Sequence, residues 1–462
     1  MLKPEVLQEL IQVLGKENVF TEKEDLITYA YDATAAMKRV LPDVVITPAS
    51  TEQVAEVVKI ADKYDTPIYP RGSGTNLSGG TIPLKNGIVM SMLNMNKIIE
   101  VDAENLTAWV QPGVIIQDLN DAAMEFGLFY PPDPGTVTTA TMGGSVSESS
   151  GGLRGLKYGV TKHYVMGMKL VRANGDVIKW GGKTVKNVSG YDMTALFTGA
   201  EGTLGIITEI LVKLLPTPEA KKSILGVFHD IDKAGNAISA IIRNKVIPAT
   251  LEIMDNMTIR TVENFAHAGL PVDAEAILLC EVDGYKEAVE REAALVEKIL
   301  ADEGATEVKL AKDDHERDVI WTARRNALPA LAQMKPTTVL EDATVPRSKI
   351  PDMLKAIRKV ATKYNLTIGT FGHAGDGNLH PTILTDVRDK EEMVRVEKAV
   401  DEIFDVAISL GGTLSGEHGI GMAKAKYLPL EFGEAGVNML KDIKQAMDPK
   451  NILNPGKMVR RD

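Results

Sequence analysis

Three of the seven histidines of the chain lie in two glycine-rich segments. His373 and His380 are the ends of His-Ala-Gly-Asp-Gly-Asn-Leu-His, and Glu417 and His418 are adjacent in Ser-Gly-Glu-His-Gly-Ile-Gly. Two imidazoles and a carboxylate suit a divalent metal that keeps open coordination positions, and a neutral imidazole beside them can accept a proton. Ordinary core or surface histidines are the alternative. The clustering favours a metal-assisted reaction.

The glycines decide which elements carry the first two histidines. Gly372, Gly375 and Gly377 argue against a helix. Residues 367–371 and 379–384 resemble strands, and the short Gly-Asp-Gly loop between them predicts a hairpin. Because cross-strand neighbours lie close together, His373 and His380 can converge on one point.

A second candidate site lies near the start of the chain, in a predicted strand–helix–strand unit. The strands are expected at 44–46 and 67–69, and the helix at 52–64 after a Ser50 cap. The loop that follows is rich in glycine, and its free N–H groups can bind the oxygens of a phosphate. A flexible surface loop is the alternative. The residues predicted to bind are Arg71, Gly72, Ser73, Gly74, Thr75, Asn76, Ser78 and Gly79.

Common phosphate and hydrolase motifs do not fit this chain. The dinucleotide pattern G-x-G-x-x-G fails at Leu77, and the P-loop pattern ending in Gly-Lys-Thr at 182–184 fails at Val177. Gly-x-Ser-x-Gly does not occur in the sequence. A Rossmann NAD site, an NTPase and the usual serine hydrolase are therefore not indicated.

Two further glycine-rich tracts, at 131–152 and 199–207, complete a pattern with the first. Together the three resemble the FAD-contacting tracts of the FAD-linked oxidases, the family with the vanillyl-alcohol oxidase (PCMH-type) fold. The resemblance implies that FAD is held without a covalent bond, because the first loop has no histidine. It also implies cofactor contacts at Pro134, Gly135, Thr138, Gly143, Gly144, Ser149, Gly151, Glu201, Gly202, Gly205, Ile207 and Asn454.

The two histidine segments are similar to motifs of the D-2-hydroxyacid dehydrogenase branch of this family. That resemblance implies that His373, His380 and Glu417 bind a divalent metal, zinc, manganese or iron(II), and that His418 is the base. Arg324, three residues after Trp321, is implied as the clamp for the substrate carboxylate, because a guanidinium binds a carboxylate through two parallel hydrogen bonds. A solvated helix face is the alternative for Arg324.

The same resemblance narrows the substrate to a small 2-hydroxy acid. The 2-hydroxyglutarate branch has Asn where this chain has Thr382. It also has a lysine where this chain has Val-Leu-Glu-Asp at 339–342, in a stretch that we expect to be a short apolar strand over 339–343. An acidic lining repels a second carboxylate. We therefore expect oxidation of D-lactate to pyruvate, with glycolate oxidation as the catalytic flavin subunit of a glycolate oxidase, or D-2-hydroxyglutarate dehydrogenation, as alternatives.

The composition limits where the electrons can go. The single cysteine, Cys280, excludes a cysteine-ligated iron–sulfur cluster, an internal disulfide and a Cys-type zinc site. The resemblance implies transfer to an electron-transferring flavoprotein, in complexes that couple lactate oxidation to NAD and ferredoxin by electron bifurcation, or to other redox subunits.

Charge and hydropathy address the remaining partners. A net charge of −11 without a basic run disfavours nucleic acid. Neither a signal peptide nor a run approaching about 18 apolar residues is seen, so we expect a cytoplasmic protein without a membrane span.

We expect an α+β flavoprotein of three parts. The PCMH-type FAD-binding domain is expected at 1–216, an α+β substrate (cap) domain with the metal site at 217–425, and a helical C-terminal segment returning to the FAD domain at 426–462. Two rival functions remain. A metallohydrolase would leave the FAD-like tracts unexplained, and a non-catalytic flavin electron-relay subunit could dispense with the metal and base residues.

Overall fold

A computed structural model of the chain describes residues 2–459, and these residues form two units. The first unit consists of residues up to Gly151, Val160–Thr217 and the segment from Glu417 onward. The second unit consists of Gly152–Gly159 and Pro218–Gly416. Each unit is therefore discontinuous in sequence. Residues 152–159 belong to the second unit, and residues from 417 onward belong to the first. Within the described range, no helix is both long enough and apolar enough to cross a membrane.

Helices and strands are interspersed along the described residues. The α-helices are α1 (Pro4–Leu14), α2 (Lys23–Ile27), α3 (Thr51–Tyr64), α4 (Ile116–Met124), α5 (Met142–Glu148), α6 (Gly155–Tyr158), α7 (Met193–Phe197), α8 (Ile231–Arg243), α9 (Asn256–Ala266), α10 (Lys286–Asp302), α11 (Asp314–Arg325), α12 (Ala327–Ala332), α13 (Ile350–Tyr364), α14 (Lys390–Ser409) and α15 (Leu428–Met447). The strands are β1 (Val19–Phe20), β2 (Val44–Ile46), β3 (Ile68–Arg71), β4 (Ile88–Ser91), β5 (Ile98–Asp102), β6 (Thr107–Val110), β7 (Leu128–Phe129), β8 (Val165–Val171), β9 (Val177–Gly181), β10 (Ile206–Lys213), β11 (Leu215–Pro216), β12 (Ala220–Phe228), β13 (Thr250–Asp255), β14 (Ala276–Gly284), β15 (Glu307–Leu310), β16 (Thr337–Leu340), β17 (Ala343–Thr344), β18 (Thr367–His373) and β19 (Asn378–Thr385).

The first unit begins with the predicted strand–helix–strand motif. Strands β2 and β3 both run parallel to β4, in a sheet ordered β1-β2-β4-β3, and α3 connects β2 to β3. The Ser50 hydroxyl accepts a hydrogen bond from the Gln53 N–H and caps α3. Val54, Val58 and Ala61 are buried on one face of the helix, as expected for helical spacing. The prediction for this segment is confirmed.

A second sheet of the first unit is antiparallel, with strand order β5-β6-β10-β8-β9. Its core is formed by β6, β8 and β10 with α4 and α5, and includes Val110, Leu119, Val146, Leu170 and Ile210. Helix α5 belongs to the second predicted FAD tract. The sheet therefore fixes that tract through buried apolar contacts.

The segment from Glu417 onward is linked to the third glycine-rich tract by a buried lysine. The Lys444 ammonium in α15 lies 2.5 Å from the Asp448 carboxylate and donates to the backbone oxygens of Thr203 and Leu453, each at 2.7 Å. Both charged side chains are almost completely buried. One ammonium group thus holds the third glycine-rich tract and the chain end together.

Replacing Lys444 by methionine should destabilise the first unit strongly. Removing one partner leaves the Asp448 carboxylate buried without its cation, which costs about 3–5 kcal/mol. Thermal unfolding of the Lys444→Met variant measures the loss. Lys298→Met is a matched control, since Lys298 and Asp302 form a pair at the same helical spacing but exposed and should contribute less than about 1 kcal/mol. Equal effects of both changes would contradict the assignment.

The second unit is built on one large antiparallel sheet, ordered β15-β12-β14-β13-β18-β19-β16, with β17 also pairing with β19. Helices α9, α11 and α12 cover one face, where Ile259, Ile320 and Leu331 pack against Met254 and Phe371. The predicted hairpin of the two histidines is confirmed as β18 and β19 in the interior of this sheet.

Candidate active site

His373 and His380 point from neighbouring strands to the same face of the second unit's sheet. Phe371 is paired directly with His380, so His373, two residues on, is the diagonal neighbour on that face. The two imidazole rings are 5.1 Å apart and nearly perpendicular. One ring nitrogen of each lies within 4.8 Å of the other. Both side chains are buried, and their spacing and chemistry fit a divalent cation.

Glycines make the hairpin turn possible. A Cβ atom on Gly372 would lie 2.4 Å from the backbone oxygen of Asn378. Gly377 has a φ of +92° and passes so close to Val345 that a Cβ atom would lie 2.0 Å from the Val345 oxygen. No side chain larger than hydrogen fits at either position, which explains the glycine directly before His373 and the one at 377.

A buried carboxylate lies beside His373. Glu252 in β13 is fully buried, and its carboxylate is 2.8 Å from Nδ1 of His373 and 2.5 Å from Nη2 of Arg324. Burial alone would raise the pKa of Glu252, but His373 and Arg324 outweigh it and hold that pKa below its ordinary value. The Arg324 guanidinium also stacks 4.8 Å from the centre of the Phe371 ring. Arg324 is therefore an inward residue of α11, not part of a solvated face.

The acidic stretch of the predicted strand 339–343 also turns inward. β16 pairs Leu340 with Thr382, and β17 pairs Ala343 with Leu379. Continuing this register sets Asp342 opposite His380. A carboxylate oxygen of Asp342 lies within 4.8 Å of a His380 ring nitrogen. The Ser415 hydroxyl donates to Oδ2 of Asp342 at 2.6 Å.

The strand itself is interrupted, which corrects the expectation of a continuous strand from 339 to 343. Residues 341 and 342 lie outside both β16 and β17. Residue 381, opposite Glu341, is proline and has no N–H to donate to the ladder. The Glu341 N–H still donates to the Pro381 oxygen at 3.1 Å, so the two strands stay paired on one side of the interruption.

The segment that leads to Glu417 is anchored in the second unit up to Gly416. Thr413 forms an antiparallel bridge with Thr344. A Cβ atom on Gly416 would lie 2.9 Å from the side-chain amide nitrogen of Asn378, the residue paired with His373. Glu417 is the next residue, one Cα step of about 3.8 Å along the chain.

Glu417 and His418 begin the last part of the first unit and are mostly buried. The Glu417 carboxylate lies 3.8 Å from Nε2 of His418. A Cβ atom on Gly151, a residue of the second glycine-rich tract, would lie 2.7 Å from Glu417 Oε2. Gly151 therefore makes room for the Glu417 carboxylate.

The first glycine-rich loop follows β3 and is held from below. Arg71 is buried, and its guanidinium donates to the backbone oxygen of Tyr31 at 2.7 Å and to the Thr81 hydroxyl at 3.1 Å. The Asn76 amide donates to Asp32 at 2.8 Å. A Cβ atom on Gly74 would lie 2.2 Å from the Arg71 guanidinium. Arg71 thus shapes the loop. Gly72, Ser73, Gly74 and Thr75 are half-buried, and Ser78 and Gly79 are buried.

The second tract runs from an exposed turn into helix α5. Pro134 is buried, whereas Gly135 and Thr138 are exposed. The Thr141 hydroxyl caps α5 by accepting from the Gly144 N–H at 3.2 Å. Gly143 packs on Pro112, where a Cβ atom would lie 2.6 Å from a side-chain carbon. The predicted residues of this tract therefore divide between the turn and the helix start.

The third tract is tied to the C-terminal segment. The Glu201 carboxylate accepts from the N–H groups of Ile420 and Gly421, both at 2.7 Å. Gly202 has a φ of +67° and lies against Pro70, 2.6 Å from where its Cβ atom would be. Gly205 packs near Leu170 and Phe197, and the Ile207 side chain lies in the hydrophobic core. The Ile207 side chain is therefore not available to a ligand.

Glu148, at the end of α5, is half-buried with a buried carboxylate oxygen, and the sequence analysis missed it. Its carboxylate lies where Cβ atoms on Gly80 and Gly419 would be, within 2.8 Å and 1.9 Å respectively. Burial, followed by the negative charges of Glu201 and Asp32, raises the pKa of Glu148 well above its ordinary value. The signal was a lone acid in a Gly- and Ser-rich run.

Three buried polar atoms of these tracts and one of the C-terminal segment have no hydrogen-bond partner between residues 2 and 459. They are the hydroxyl oxygens of Ser78 and Ser149, one carboxylate oxygen of Glu148, and the amide oxygen of Asn454. The Asn454 amide nitrogen does have partners, the backbone oxygens of Gly80 at 2.9 Å and Glu201 at 2.7 Å. Buried polar atoms of folded proteins are normally satisfied, so these atoms fit a polar ligand held by the three tracts.

Two family models cover most of the chain. Residues 42–181 match the FAD binding domain, and residues 217–458 match the C-terminal domain of FAD linked oxidases. The second match alone covers more than half of the chain. This chain belongs to the FAD-linked oxidase family. The first unit of this FAD-linked oxidase therefore carries its FAD-binding fold.

Relatives place this FAD-linked oxidase in the D-2-hydroxyacid branch. It is 52% identical to the glycolate oxidase subunit GlcD of Bacillus subtilis, over 100% of this chain and 98% of the relative. It is 33% identical to the D-lactate dehydrogenase of Anaerostipes hadrus, over 98% of this chain and 97% of the relative. Its fold is similar to that of p-cresol methylhydroxylase, with a TM-score of 0.81 at 20% identity, covering 99% of this chain and 97% of the other. The PCMH-type α+β fold is confirmed.

Replacing Asn454 by alanine should weaken FAD binding by this FAD-linked oxidase. The change removes two hydrogen bonds that join the first and third tracts, and each buried carbonyl left without a donor costs about 1–3 kcal/mol. We expect FAD affinity to fall at least about tenfold, since about 1.4 kcal/mol is a factor of ten. Fluorescence titration of deflavinated protein with FAD measures this affinity. Asn438→Ala, at an exposed position in α15, should bind FAD like the wild type. Unchanged affinity in the Asn454 variant would refute the role.

Proposed function

We propose that this FAD-linked oxidase is a D-2-hydroxyacid dehydrogenase that oxidises D-lactate to pyruvate. The observation that carries the proposal is the pair of buried imidazoles, His373 and His380, beside the buried Arg324 in the second unit. A cation site next to a guanidinium suits a substrate with a hydroxyl group and a carboxylate on adjacent carbons. The D-lactate dehydrogenases among the relatives support this reading.

Arg324 would bind the substrate carboxylate. Glu252 occupies its Nη2, whereas its Nε is buried and has no hydrogen-bond partner among the described residues. A guanidinium has five N–H donors, so donors remain for a carboxylate after Glu252 is satisfied. Stacking on Phe371 holds the guanidinium plane in place.

His373, His380 and Glu417 would hold a divalent metal, with zinc, manganese and iron(II) all compatible with two imidazoles and a carboxylate. The packing of Gly416 against Asn378 supports the inclusion of Glu417, because Glu417 follows Gly416 directly. When bound, such a metal polarises the hydroxyl group of a substrate. The three residues orient the substrate hydroxyl by fixing the position of the cation.

His418 would accept the hydroxyl proton at a ring nitrogen, as a general base. Its neighbour Glu417, 3.8 Å away, stabilises the imidazolium that results. FAD, when bound, takes up the α-hydrogen with two electrons. The first loop has no histidine, so we infer that Ser78, Asn454 and the glycines hold FAD without a covalent bond.

Asp342 supports a short substrate. Its carboxylate is fully buried and faces His380. A second carboxylate on the substrate would be repelled there, at a position where charge is poorly screened. D-lactate and glycolate are therefore favoured over D-2-hydroxyglutarate.

Glycolate is a second candidate substrate. The relative with 52% identity is a glycolate oxidase subunit, and it matches this chain from end to end. Glycolate has the same hydroxyl and carboxylate as D-lactate and lacks only the methyl group. The chemistry assigned to Arg324, His418 and the imidazole pair is the same for both.

The electrons would pass to a partner protein. Cys280 is buried and is the only cysteine of the sequence, so the chain cannot ligate an iron–sulfur cluster through cysteines. We propose an electron-transferring flavoprotein as the acceptor, coupled onward to NAD and ferredoxin, with other redox subunits as the alternative. The lone reduced cysteine also supports a cytoplasmic location.

Anaerobic titration of the flavin-loaded protein tests the proposal. D-lactate, glycolate and D-2-hydroxyglutarate are added separately, and the loss of visible flavin absorbance is followed. Bleaching by D-lactate is expected, and bleaching by glycolate alone would move the substrate to the second candidate. Absence of bleaching by all three, with FAD and metal bound, would refute the function. Addition of an electron-transferring flavoprotein to the bleached enzyme should then restore the absorbance.

A further inference from the structure

Glu252 contacts two residues of the candidate site at once. One oxygen of its carboxylate is 2.8 Å from Nδ1 of His373 on β18, and the other is 2.5 Å from Nη2 of Arg324 on α11. The three side chains come from a strand, its neighbouring strand and the helix that covers them. All three are buried.

The position of Glu252 follows from its strand. In β13, Met254 packs against α9, α11 and α12, and Glu252 shares its face because side chains alternate along a strand. Leu251 and Ile253 point the other way into apolar surroundings. An acid on the core face of an apolar strand is expensive unless it is paired. The hydrogen bonds from His373 and Arg324 offset the cost of burying the Glu252 carboxylate.

A carboxylate can only accept hydrogen bonds, and this fixes the state of His373. When the His373 ring is neutral, its one hydrogen must lie on Nδ1, so Nε2 keeps its lone pair for a metal. A ligating histidine whose second nitrogen donates to a carboxylate is held in one tautomer and one orientation. The same carboxylate holds one edge of the Arg324 guanidinium and leaves the other donors for the substrate.

We infer that Glu252 is a positioning residue that sets the metal-binding tautomer of His373 and the orientation of the substrate clamp Arg324 through a single carboxylate. This inference rests on the proposed function for the roles of His373 and Arg324. It predicts that metal affinity and substrate affinity change together when Glu252 is altered. If Glu252 had only a structural role, a folded variant would keep both its metal affinity and its substrate affinity.

The Glu252→Gln variant is the first test. Glutamine keeps the size of the side chain but replaces one carboxylate oxygen by an NH2 donor. Because His373 and Arg324 bond to different oxygens of Glu252, one of the two hydrogen bonds is lost. Loss of the carboxylate behind a ligating histidine should weaken metal binding about 10–100-fold. Titration with Mn²⁺ alone, followed by electron paramagnetic resonance, measures this affinity without turnover. We also expect a higher KM for D-lactate.

Glu281→Gln is the matched control. Glu281 lies on β14 of the same sheet, where its carboxylate accepts from the neutral Ser223 hydroxyl at 2.9 Å. Its affinity for Mn²⁺ should equal that of the wild type. FAD content and thermal unfolding of both variants report whether they fold. Wild-type Mn²⁺ affinity in a folded Glu252→Gln protein would overturn the inference.

The tautomer of His373 gives a second test that needs no variant of Glu252. In metal-free wild-type protein labelled with ¹⁵N-histidine, the neutral His373 ring should carry its hydrogen on Nδ1, with the signal assigned by its loss in His373→Gln. A hydrogen on Nε2 would overturn the inference. This measurement is independent of activity. Failure of all three acids to bleach the flavin would refute the proposed function, while the tautomer would still decide the role of Glu252.

Discussion

Changing His418 to alanine should abolish the reduction of bound FAD by D-lactate while the protein stays yellow. A positioned general base contributes about 10²–10⁴-fold to the rate, so we expect a loss of about a thousandfold. The FAD contacts assigned here come from the three glycine-rich tracts and Asn454, none of which includes His418. Rapid-mixing measurement of flavin bleaching gives the rate directly, before any electron acceptor is involved.

His229→Ala is the control for this experiment. His229 is exposed after β12 in the second unit, and its loss should leave the bleaching rate unchanged. Undiminished bleaching in the His418 variant, with FAD bound in full, would remove His418 from the chemistry. Loss of FAD from that variant would instead show that His418 belongs to the cofactor site.

Removing the metal should have an effect of similar size. Chelation, or the change of His373 to alanine, should take away the proposed divalent cation, whose polarisation of the substrate hydroxyl would contribute several kcal/mol. Since about 1.4 kcal/mol is a factor of ten in rate, turnover should fall at least about a hundredfold. Metal analysis of the purified variant should show the loss of the cation, and the FAD content should not change.

Readdition separates the two treatments. Zn²⁺ or Mn²⁺ added back to chelated wild-type protein should restore bleaching, whereas the same addition to the His373 variant should not. If chelated, metal-free protein is bleached by D-lactate at the wild-type rate, the metal has no part in the reaction and the assignment of the imidazole pair fails.

The parts of the site that the sequence predicts are those with local patterns. Glycines between His373 and His380 ruled out a helix, and two strands with a short loop then required a hairpin. Ser50 before an amphipathic stretch likewise predicted where α3 begins. In each case the physical cause acts over fewer than about a dozen neighbouring residues, so the local sequence is enough to predict the structure.

The parts that it does not predict depend on tertiary pairing. Residues 339–343 have the composition of one strand, but the strand breaks because Pro381, far away in the chain, is its partner. Glu252 was overlooked although an acid inside Thr-Leu-Glu-Ile-Met is unusual. Its two partners are 72 and 121 residues distant in the sequence. The helix pattern alone leaves a solvated position open for Arg324, because it cannot show that Phe371 and Glu252 cover this side chain.

The discontinuity of the two units in sequence has a consequence for biosynthesis. Residues 218–416 leave the ribosome as one continuous stretch and can fold at once, because their sheet needs little from elsewhere in the chain. The first unit must wait, since Glu201, Gly80 and Thr203 each have a hydrogen-bond partner in residues 420–454. The nascent FAD-binding domain therefore lacks these contacts until residue 454 has been synthesised. Its dependence on chaperones and on the supply of free FAD should be greatest in that interval.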